Sequence, residues 1–440
     1  MQPQRTAALS PVGIEDRRGH GEDLAIRESS RPRTLTDRGA YLLAAAVIGI
    51  GLFASVTPSP LYRSYSALWH FSPLTLTFVY ATYAFGVLTA LLLVGRASDE
   101  VGRRPVLLVA LAVLMAAAVL FMLADSVAWL FAARGIQGLA TGAALSAASA
   151  ALLDLHPRHD PTSVGQANGV ASTAGLGAGI LVSSSLVELG VLPRVLPYVV
   201  LFVLFAIAFA GALRMPEPVQ RRGRFRLAAQ RPSVPAAVRR PFVLAGLAAL
   251  SSWSIGGLFF SLGPELSARL LHTTSALVSA IGIVELAGFA AISQLIFGRM
   301  APWLGTSAGS AALAVGMALI VLATASDSGV IFLGGAAIGG IGFGMAFLGG
   351  LRTLSTAIPH AHRAAVMSAF YIVAYASLSI PAVLAGSVVA HFGVRPTFET
   401  FGALVTVLAL FVAVEAWRTR SSRPSRRSPM VGDVKSPRQM

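Results

Sequence analysis

The segment Gly95–Pro105, which reads GRASDEVGRRP, lies between two long apolar runs, Leu74–Val94 and Val106–Ala124. About 20 consecutive apolar residues are needed for an α-helix to cross the hydrocarbon core of a bilayer. Because the connection is so short, we expect two antiparallel membrane helices joined by a charged turn. Three of its five charged residues are arginines, which indicates the cytoplasmic face of the membrane.

The composition of the whole chain extends this interpretation. Of the 440 residues, 55% are hydrophobic and 12% are charged, and the mean hydropathy is +0.72. These values predict an all-α membrane protein that crosses the bilayer many times. The first apolar run begins at Tyr41 without a small-residue cleavage site after it, so we interpret it as a retained span. The absence of cysteine excludes disulfides, thiolate metal sites and a cysteine nucleophile.

Twelve apolar segments alternate with polar connections along the chain. This order puts 29 of the 34 basic residues on one side of the membrane and four on the other, while Arg134 lies within a span. The split predicts that both termini are cytoplasmic. Because the basic residues flank apolar spans, the net charge of +15 does not indicate nucleic-acid binding. The predicted spans are Tyr41–Leu61, Leu74–Val94, Val106–Ala124, Trp129–Leu152, Val164–Leu189, Leu196–Leu213, Phe242–Gly263, Ser275–Phe297, Leu304–Ala325, Val330–Leu351, Ala365–Ala390 and Phe398–Trp417.

The chain divides into five predicted regions. They are a disordered cytoplasmic tail at 1–39, a six-helix bundle at 40–213, a basic cytoplasmic linker at 214–240, a second six-helix bundle at 241–417 and a disordered cytoplasmic tail at 418–440. The linker contains eight arginines and one acid. We interpret it as a solvated segment on anionic lipid headgroups; a regulatory docking site is the alternative.

The two bundles carry matching residues at a fixed spacing. Three residues of the first bundle recur after 203 positions and three others after 202 positions. Two clusters that agree within one residue predict two six-helix pseudo-repeats, an arrangement typical of transporters that rock around a site between their halves. The pairs are Gly95 with Gly298, Arg96 with Arg299, Gly102 with Gly305, Gly138 with Gly340, Gly142 with Gly344 and Pro157 with Pro359.

The charged turn resembles the loop signature G-x-x-x-D-x-x-G-R-R of the major facilitator superfamily, at Gly95, Asp99, Gly102, Arg103 and Arg104. The resemblance covers about 37–420. In that family the loop joins spans two and three and belongs to the cytoplasmic gate, where its Asp and Arg pair against the other half. A purely topological role for the arginines is the alternative. The glycines also suit a tight turn with positive φ.

The fourth span contains Arg134, Gly135, Gln137 and Gly138, which are similar to an Arg, Gly, Gln and Gly motif found in proton-coupled members of the family. An arginine in hydrocarbon is costly unless it faces a cavity or a partner. The resemblance therefore implies that Arg134 takes part in proton coupling. The alternative is that its side chain reaches the outer interface.

The fifth span departs from the family pattern. Proton-linked drug exporters carry a G-P-x-x-G-G signature there, whereas Gly179–Ser184 reads GILVSS. The Pro is replaced by Ile and both trailing glycines by Ser. This departure weakens the inference of antiport specifically, although the other motifs still predict transport.

Glu285 is the only acid deep in any predicted span. A carboxylate in hydrocarbon is costly when ionised, so we expect Glu285 to carry a proton or to pair with a cationic substrate. The alternative is a neutral Glu that is hydrogen-bonded to a neighbouring helix.

Aromatic and amide side chains supply the remaining cavity candidates. In the family the cavity is lined by spans one, two, four and five and by their counterparts in the second half. Packing or an interfacial position is the alternative for the aromatic residues. The candidates are Tyr80, Tyr83, Gln137, Trp253, Tyr371 and Tyr375.

These features predict a secondary transporter and not an enzyme. The sequence contains no G-x-x-x-x-G-K-[ST] loop for ATP, no nucleophile–base pair and no metal-ligand spacing, so we expect no cofactor and no metal. We expect a monomer in a bacterial cytoplasmic membrane that binds a small amphipathic or drug-like solute and exports it against protons. The alternatives are a proton-linked or facilitative importer and, more remotely, a membrane sensor that does not transport.

Overall fold

A computed structural model describes residues 34–93, 97–218, 233–359 and 362–421, apart from the side chains of residues 97, 363, 364, 420 and 421. In this part of the chain every regular element is helical, and twelve helices are long. The predicted all-α fold with twelve helices is therefore confirmed. The helices are α1 Asp37–Val56, α2 Pro73–Leu93, α3 Arg103–Met122, α4 Val127–Asp154, α5 Pro161–Glu188, α6 Leu196–Ala212, α7 Arg239–Leu270, α8 Ile281–Phe297, α9 Pro302–Ser326, α10 Gly329–Ala357, α11 Arg363–Phe392 and α12 Val394–Ser421.

Several helices are longer than the apolar runs that predicted them. Helix α1 begins at Asp37, inside the predicted tail 1–39, and α12 continues to Ser421, past the predicted boundary at 417. By length and composition, ten helical stretches of the described ranges can cross a membrane, while α6 and α8 are shorter apolar helices. Most of the predicted tails, 1–33 and 422–440, and the linker stretch 219–232 lie outside the described residues.

Local sequence explains where the helices begin and end. After α1, Pro58 and Pro60 interrupt the regular helix, and a short 3-10 turn precedes a short helix at Tyr62–Trp69. At the start of α5, the Asp160 carboxylate accepts hydrogen bonds from the Ser163 hydroxyl at 2.6 Å and from the Thr162 amide at 3.0 Å. These bonds, first of all the one from Ser163, lower the pKa of Asp160 and stabilise the N-terminus of the helix.

The two halves of the bundle repeat one packing scheme. Helix α1 packs against α4, α5 and α6, as α7 packs against α10, α11 and α12. Likewise α2 contacts α4 and α3 contacts α4 and α6, while α8 contacts α10 and α9 contacts α10 and α12. The halves meet mainly where α2 lies against α11 and α5 lies against α8. The predicted arrangement of two six-helix pseudo-repeats is confirmed.

The glycines that recur after 202 positions lie at equivalent helix crossings. Gly138 lies where α4 crosses α2, and a Cβ there would be 3.0 Å from the Tyr83 carbonyl carbon. Gly340 lies where α10 crosses α8, and a Cβ there would be 2.5 Å from the Leu286 carbonyl oxygen. Both contacts are with backbone, which cannot rotate away. The repeated glycines therefore allow the same close helix approach in each half.

Candidate functional site

We call the side of the bundle that carries the α2–α3, α4–α5 and α6–α7 connections the Arg-rich face. The motif of the α2–α3 connection lies there, although its first residue, Gly95, lies outside the described residues. Gly102 has φ +114°, a conformation that favours glycine. The expectation that Gly102 adopts a positive φ in this turn is therefore confirmed.

Arg103 is at the centre of a charged network on the Arg-rich face. Its side chain is only 10% exposed and pairs with Asp99, four residues earlier in the motif. The guanidinium also donates to Asp154 Oδ2 at 2.9 Å and to Ser98 Oγ at 2.8 Å. Asp154 is the last residue of α4, so among the described residues these bonds stay within the first half. The cross-half pairing that the family resemblance implies is not among them.

Glu217 completes this network from a distant part of the chain. Its carboxylate accepts hydrogen bonds from the Arg103 amide at 2.9 Å and from the Arg104 amide at 3.0 Å. It thereby caps the N-terminus of α3, where a negative charge is stabilised by the helix dipole. Arg104 in turn donates to the Leu213 carbonyl at 2.6 Å. The motif is thus attached to the chain segment that follows α6.

The Asp99→Asn variant should reduce transport to about a tenth or less of the wild-type rate. The substitution removes the charge that pairs with Arg103, while the bond to Asp154 keeps the local fold. Uptake into proteoliposomes, normalised to the inserted protein, measures the effect. Asp327→Asn is the matched control, because it removes an acid from a loop at the opposite face. Wild-type transport by Asp99→Asn would contradict a gating role for this residue.

Arg134 is fully buried about two turns into α4. Its Nε and one terminal nitrogen donate to the Tyr62 hydroxyl, at 2.9 and 2.5 Å. The other terminal nitrogen donates to the Ser55 carbonyl at 2.8 Å and to Gln137 Oε1 at 2.9 Å. The Gln137 amide then donates to the Ala54 carbonyl at 3.0 Å. The side chain thus points into the bundle and binds the end of α1, not the outer interface.

Three aromatic rings surround the Arg134 guanidinium. Its central carbon lies 5.3 Å from the ring centroid of Tyr83, 5.6 Å from that of Tyr62 and 6.0 Å from that of Tyr80. These distances are within the range of cation–π attraction. Among the described residues the ion pairs involve Arg63, Arg103 and Arg395. Arg134 is therefore a buried cation that has aromatic neighbours and no carboxylate partner there.

A small chamber of about 40 Å³ lies between the two halves, next to the Arg134 cluster. Four of the six predicted cavity residues line it, two from α2 and two from α7 and α11. The described lining has no charged side chain, and most of it is aromatic or aliphatic. The residues that line the chamber are Leu52, Ser55, Tyr80, Tyr83, Leu176, Trp253, Gly256, Phe260, Phe343, Tyr375 and Leu378.

The other two predicted cavity residues lie close by but do not line this chamber. Gln137 is buried behind it, where it orients Arg134. Tyr371 is one turn from Tyr375 on α11 and packs against Phe370, with the ring centroids 5.9 Å apart. Sequence reasoning did not select Phe260 or Phe343, because apolar residues in a span carry no signal that separates cavity lining from packing.

Glu285 does not line the chamber. By helical spacing it shares a face of α8 with Phe289, Ile292 and Ile296, which are 36, 48 and 65% exposed. This is the side of the helix that faces the surroundings of the bundle. Its Oε2 is nevertheless buried without a hydrogen-bond partner among the described residues. A role for Glu285 in proton carriage remains a prediction, and it would act from outside the chamber.

A wider cleft of about 740 Å³ opens at the face opposite the Arg-rich face. Both halves line it, through the segment after α1, the end of α5 and the end of α7. Tyr62 lines this cleft and also binds Arg134. An ion pair of 2.7 Å between Arg63 and Glu265 joins the two halves across it.

The Glu265→Gln variant should open this cleft more often. The Arg63–Glu265 pair joins the halves, but both side chains are about half exposed, so it contributes at most about 1 kcal/mol, or roughly a fivefold shift in population. The chain has no cysteine, so one introduced at Ser261 in the cleft reports access through its rate of maleimide labelling. We expect that rate to rise two- to fivefold, an order-of-magnitude range.

The matched control for this experiment is Glu399→Gln. The Arg395–Glu399 pair has a similar distance, 2.9 Å, and similar exposure, but both residues are on α12. Its loss should leave labelling at position 261 unchanged. Equal labelling rates in both variants would show that the cross-cleft pair does not hold the halves together.

On the Arg-rich side, the halves are closed against each other between α5 and α8. The Gln166 amide donates to the carbonyls of Gln294 at 2.9 Å and Leu295 at 3.1 Å. Gly169 lies against the Gln294 side chain, so closely that a Cβ would be 2.7 Å from its Oε1. The bundle thus has a wide cleft on one face, a small chamber beneath it and cross-half contacts on the other face.

A sequence model described as Major Facilitator Superfamily matches residues 39–380. The chain belongs to this superfamily. No curated protein sequence matches the chain at a significant level. As a superfamily member it is a multi-pass membrane transporter and not an enzyme.

Solved structures of other transporters share the fold of this superfamily member. The human organic anion transporter MFSD10 (TETRAN) is 18% identical, with a TM-score of 0.64 over 86% of this chain and 100% of that one. The xylose transporter XylE from E. coli is 15% identical, with a TM-score of 0.69 over 87% and 97%. A POT family transporter in complex with 5-aminolevulinic acid is 14% identical, with a TM-score of 0.69 over 86% and 96%. At these identities the likeness concerns the fold alone.

Proposed function

We propose that the chain is a secondary active transporter that exports a small amphipathic organic solute by alternating access. The observation that carries this proposal is the chamber between the halves, to which α2 contributes Tyr80 and Tyr83 and the second half contributes Trp253 and Tyr375. A solute that contacts both halves at once can couple its binding to their relative movement. The aromatic and aliphatic lining favours an apolar body over a sugar, which would require more amide side chains.

The proposed direction and energy source are export in exchange for protons, across a bacterial cytoplasmic membrane with both termini inside. The similarity of Arg134 and Gln137 to the motif of proton-coupled members supports coupling, as does the buried carboxylate oxygen of Glu285. The concentration of arginines on one face supports the orientation. In this proposal the Asp99, Arg103 and Arg104 network stabilises the closed cytoplasmic side.

Proteoliposome transport with an imposed pH gradient tests this function. Purified protein is reconstituted, and a panel of antibiotics, dyes and small metabolites is screened with the gradient in each direction. Export against protons predicts accumulation that reverses when the gradient is reversed and that protonophore abolishes. Accumulation driven in the opposite sense would indicate a proton-linked importer, and equilibration alone would indicate a facilitator. If no solute moves, the transport proposal fails.

The Glu285→Gln variant separates the two coupling candidates in the same assay. If Glu285 carries the proton, the variant should still equilibrate solute but should lose accumulation driven by the pH gradient. Unchanged coupling with normal insertion would exclude Glu285 and leave the Arg134 cluster as the candidate.

A further inference from the structure

The Arg134 guanidinium lies directly behind the wall of the chamber. Ser55, Tyr80 and Tyr83 each line the chamber, and each contacts Arg134 through its carbonyl or its ring. One layer of side chains therefore separates the buried charge from any solute in the chamber. An arginine stays charged in proteins, and a charge acts strongly across a low-dielectric interior.

Among the described residues, no acidic group balances this charge from the chamber side. The described lining contains no Asp or Glu, and Glu285 lies on the outer side of α8. The hydroxyl of Tyr62, the Ser55 carbonyl and Gln137 accept hydrogen bonds from Arg134 but remain neutral. In the described part of the chain the chamber wall thus has a positive charge behind it, which an anionic solute would neutralise.

The opposite wall of the chamber supplies a free donor. Trp253 Nε1 is buried and has no hydrogen-bond partner among the described residues, and an indole N–H can only donate. The Trp253 ring is held by an edge contact with Tyr375 and a tilted contact with Phe347, each with centroids 5.3 Å apart. A buried donor without an acceptor is costly, so an acceptor group on the solute would be stabilised here.

We propose that the chamber selects small aromatic monocarboxylates over neutral and cationic solutes of the same shape. The carboxylate lies between the indole N–H of Trp253 in the second half and the positive wall in front of Arg134 in the first half. The ring would lie against Phe260, Phe343 and Leu378 once the chamber, about 40 Å³ in this structure, widens as the halves move. This inference rests on the proposed transport function, because it names the solute class for the same chamber. A solute that binds groups of both halves at once would also stabilise the arrangement in which the two halves are close.

Binding of three isosteric probes to the purified full-length protein tests the proposal. Benzoate, benzamide and benzamidinium differ in charge but hardly in shape, and calorimetry at neutral pH gives a dissociation constant for each. We expect benzoate to bind at least about tenfold more tightly than benzamide, and benzamidinium more weakly than both. Equal affinities, a preference for either other probe, or no benzoate binding at about 10 mM would overturn the proposal.

Variants then show which residues set the preference. Arg134→Gln should bring the benzoate-to-benzamide ratio close to one, because the positive charge is lost while Trp253 still donates to either probe. Arg134→Lys should keep a preference for benzoate. Trp253→Phe should weaken both probes, since carboxylate and amide oxygens both accept its N–H. Trp303→Phe is the matched control, as Trp303 packs against Trp417 away from the chamber. A ratio that survives in Arg134→Gln would overturn the assignment to Arg134.

The outcomes separate this inference from the transport function. Transport of neutral or cationic solutes in proteoliposomes, with no preference for benzoate, would leave the function standing and overturn the solute class. A benzoate preference that Arg134→Gln removes, in a protein that moves no solute, would support the solute class and overturn transport. If Arg134→Gln does not fold, the probe series on the unchanged protein and on Arg134→Lys and Trp253→Phe still decides the proposal.

Discussion

The Gly138→Ala variant should lose most of its folded protein, at a cost of about 3 kcal/mol or more in the free energy of unfolding. The added methyl would meet the backbone of Tyr83, with the Gly86 Cα also only 3.1 Å away. Because both obstacles are main chain, α4 and α2 must move apart, and overpacking of this kind typically costs 1–3 kcal/mol or somewhat more. Thermal unfolding of the purified protein, followed by size-exclusion chromatography, measures the loss.

Two further glycine variants test the physical reason. Gly340→Ala occupies the equivalent crossing of the second half, against Leu286, and should be destabilised to a similar degree. Gly334→Ala is the matched control, because nothing lies within 4 Å of a Cβ at that position of α10. The midpoint of its thermal unfolding should not fall, since alanine stabilises a helix more than glycine does. A Gly138→Ala protein as stable as Gly334→Ala would show that the crossing tolerates a wider spacing.

The Arg134→Ala variant should reduce transport by about a hundredfold or more. It removes the Arg134 hydrogen bonds to the Tyr62 hydroxyl and the Ser55 carbonyl and leaves a void beside Gln137. It also removes the positive charge behind the chamber. Initial rates in proteoliposomes, at several external pH values, measure the effect.

Arg134→Lys is the informative companion of this variant. Lysine keeps the charge but cannot bind Tyr62, Ser55 and Gln137 at once, because it lacks the planar fork of arginine. Partial recovery of transport would assign the main role to charge, and no recovery would assign it to the fixed geometry at the end of α1. Intact, pH-dependent transport by Arg134→Ala would exclude coupling through this residue.

The fold was largely predictable from the sequence because a segment that crosses hydrocarbon must be apolar and long enough to span the bilayer. Apolar runs of spanning length gave the twelve helices, and the glycines at positions 138 and 340 identified the repeat. They are recognisable because only glycine permits the backbone contacts that they make. The helix ends were less predictable, since α12 continues to Ser421 and no rule of hydropathy governs a helix beyond the bilayer.

The site was only partly predictable because it depends on which way side chains point. Arg134 and Gln137 are close in sequence, and the structure joins them directly. Tyr62 joins them from another helix, and no sequence pattern connects positions 62 and 134. Glu285 was selected for its depth in a span, but depth does not specify a helix face.

At each end of the α5–α8 contact, a side chain of the first half is hydrogen-bonded to main-chain groups of the second half. Near the Arg-rich face Gln166 binds the last carbonyls of α8, and near the other face the Glu188 carboxylate accepts the amides of Ala276 at 2.7 Å and Leu277 at 3.4 Å. Helix ends present such groups whatever side chains surround them. Substitutions of side chains along α8 therefore leave these main-chain acceptors and donors in place, and the bonds to them depend on the side chains at positions 166 and 188 of the first half.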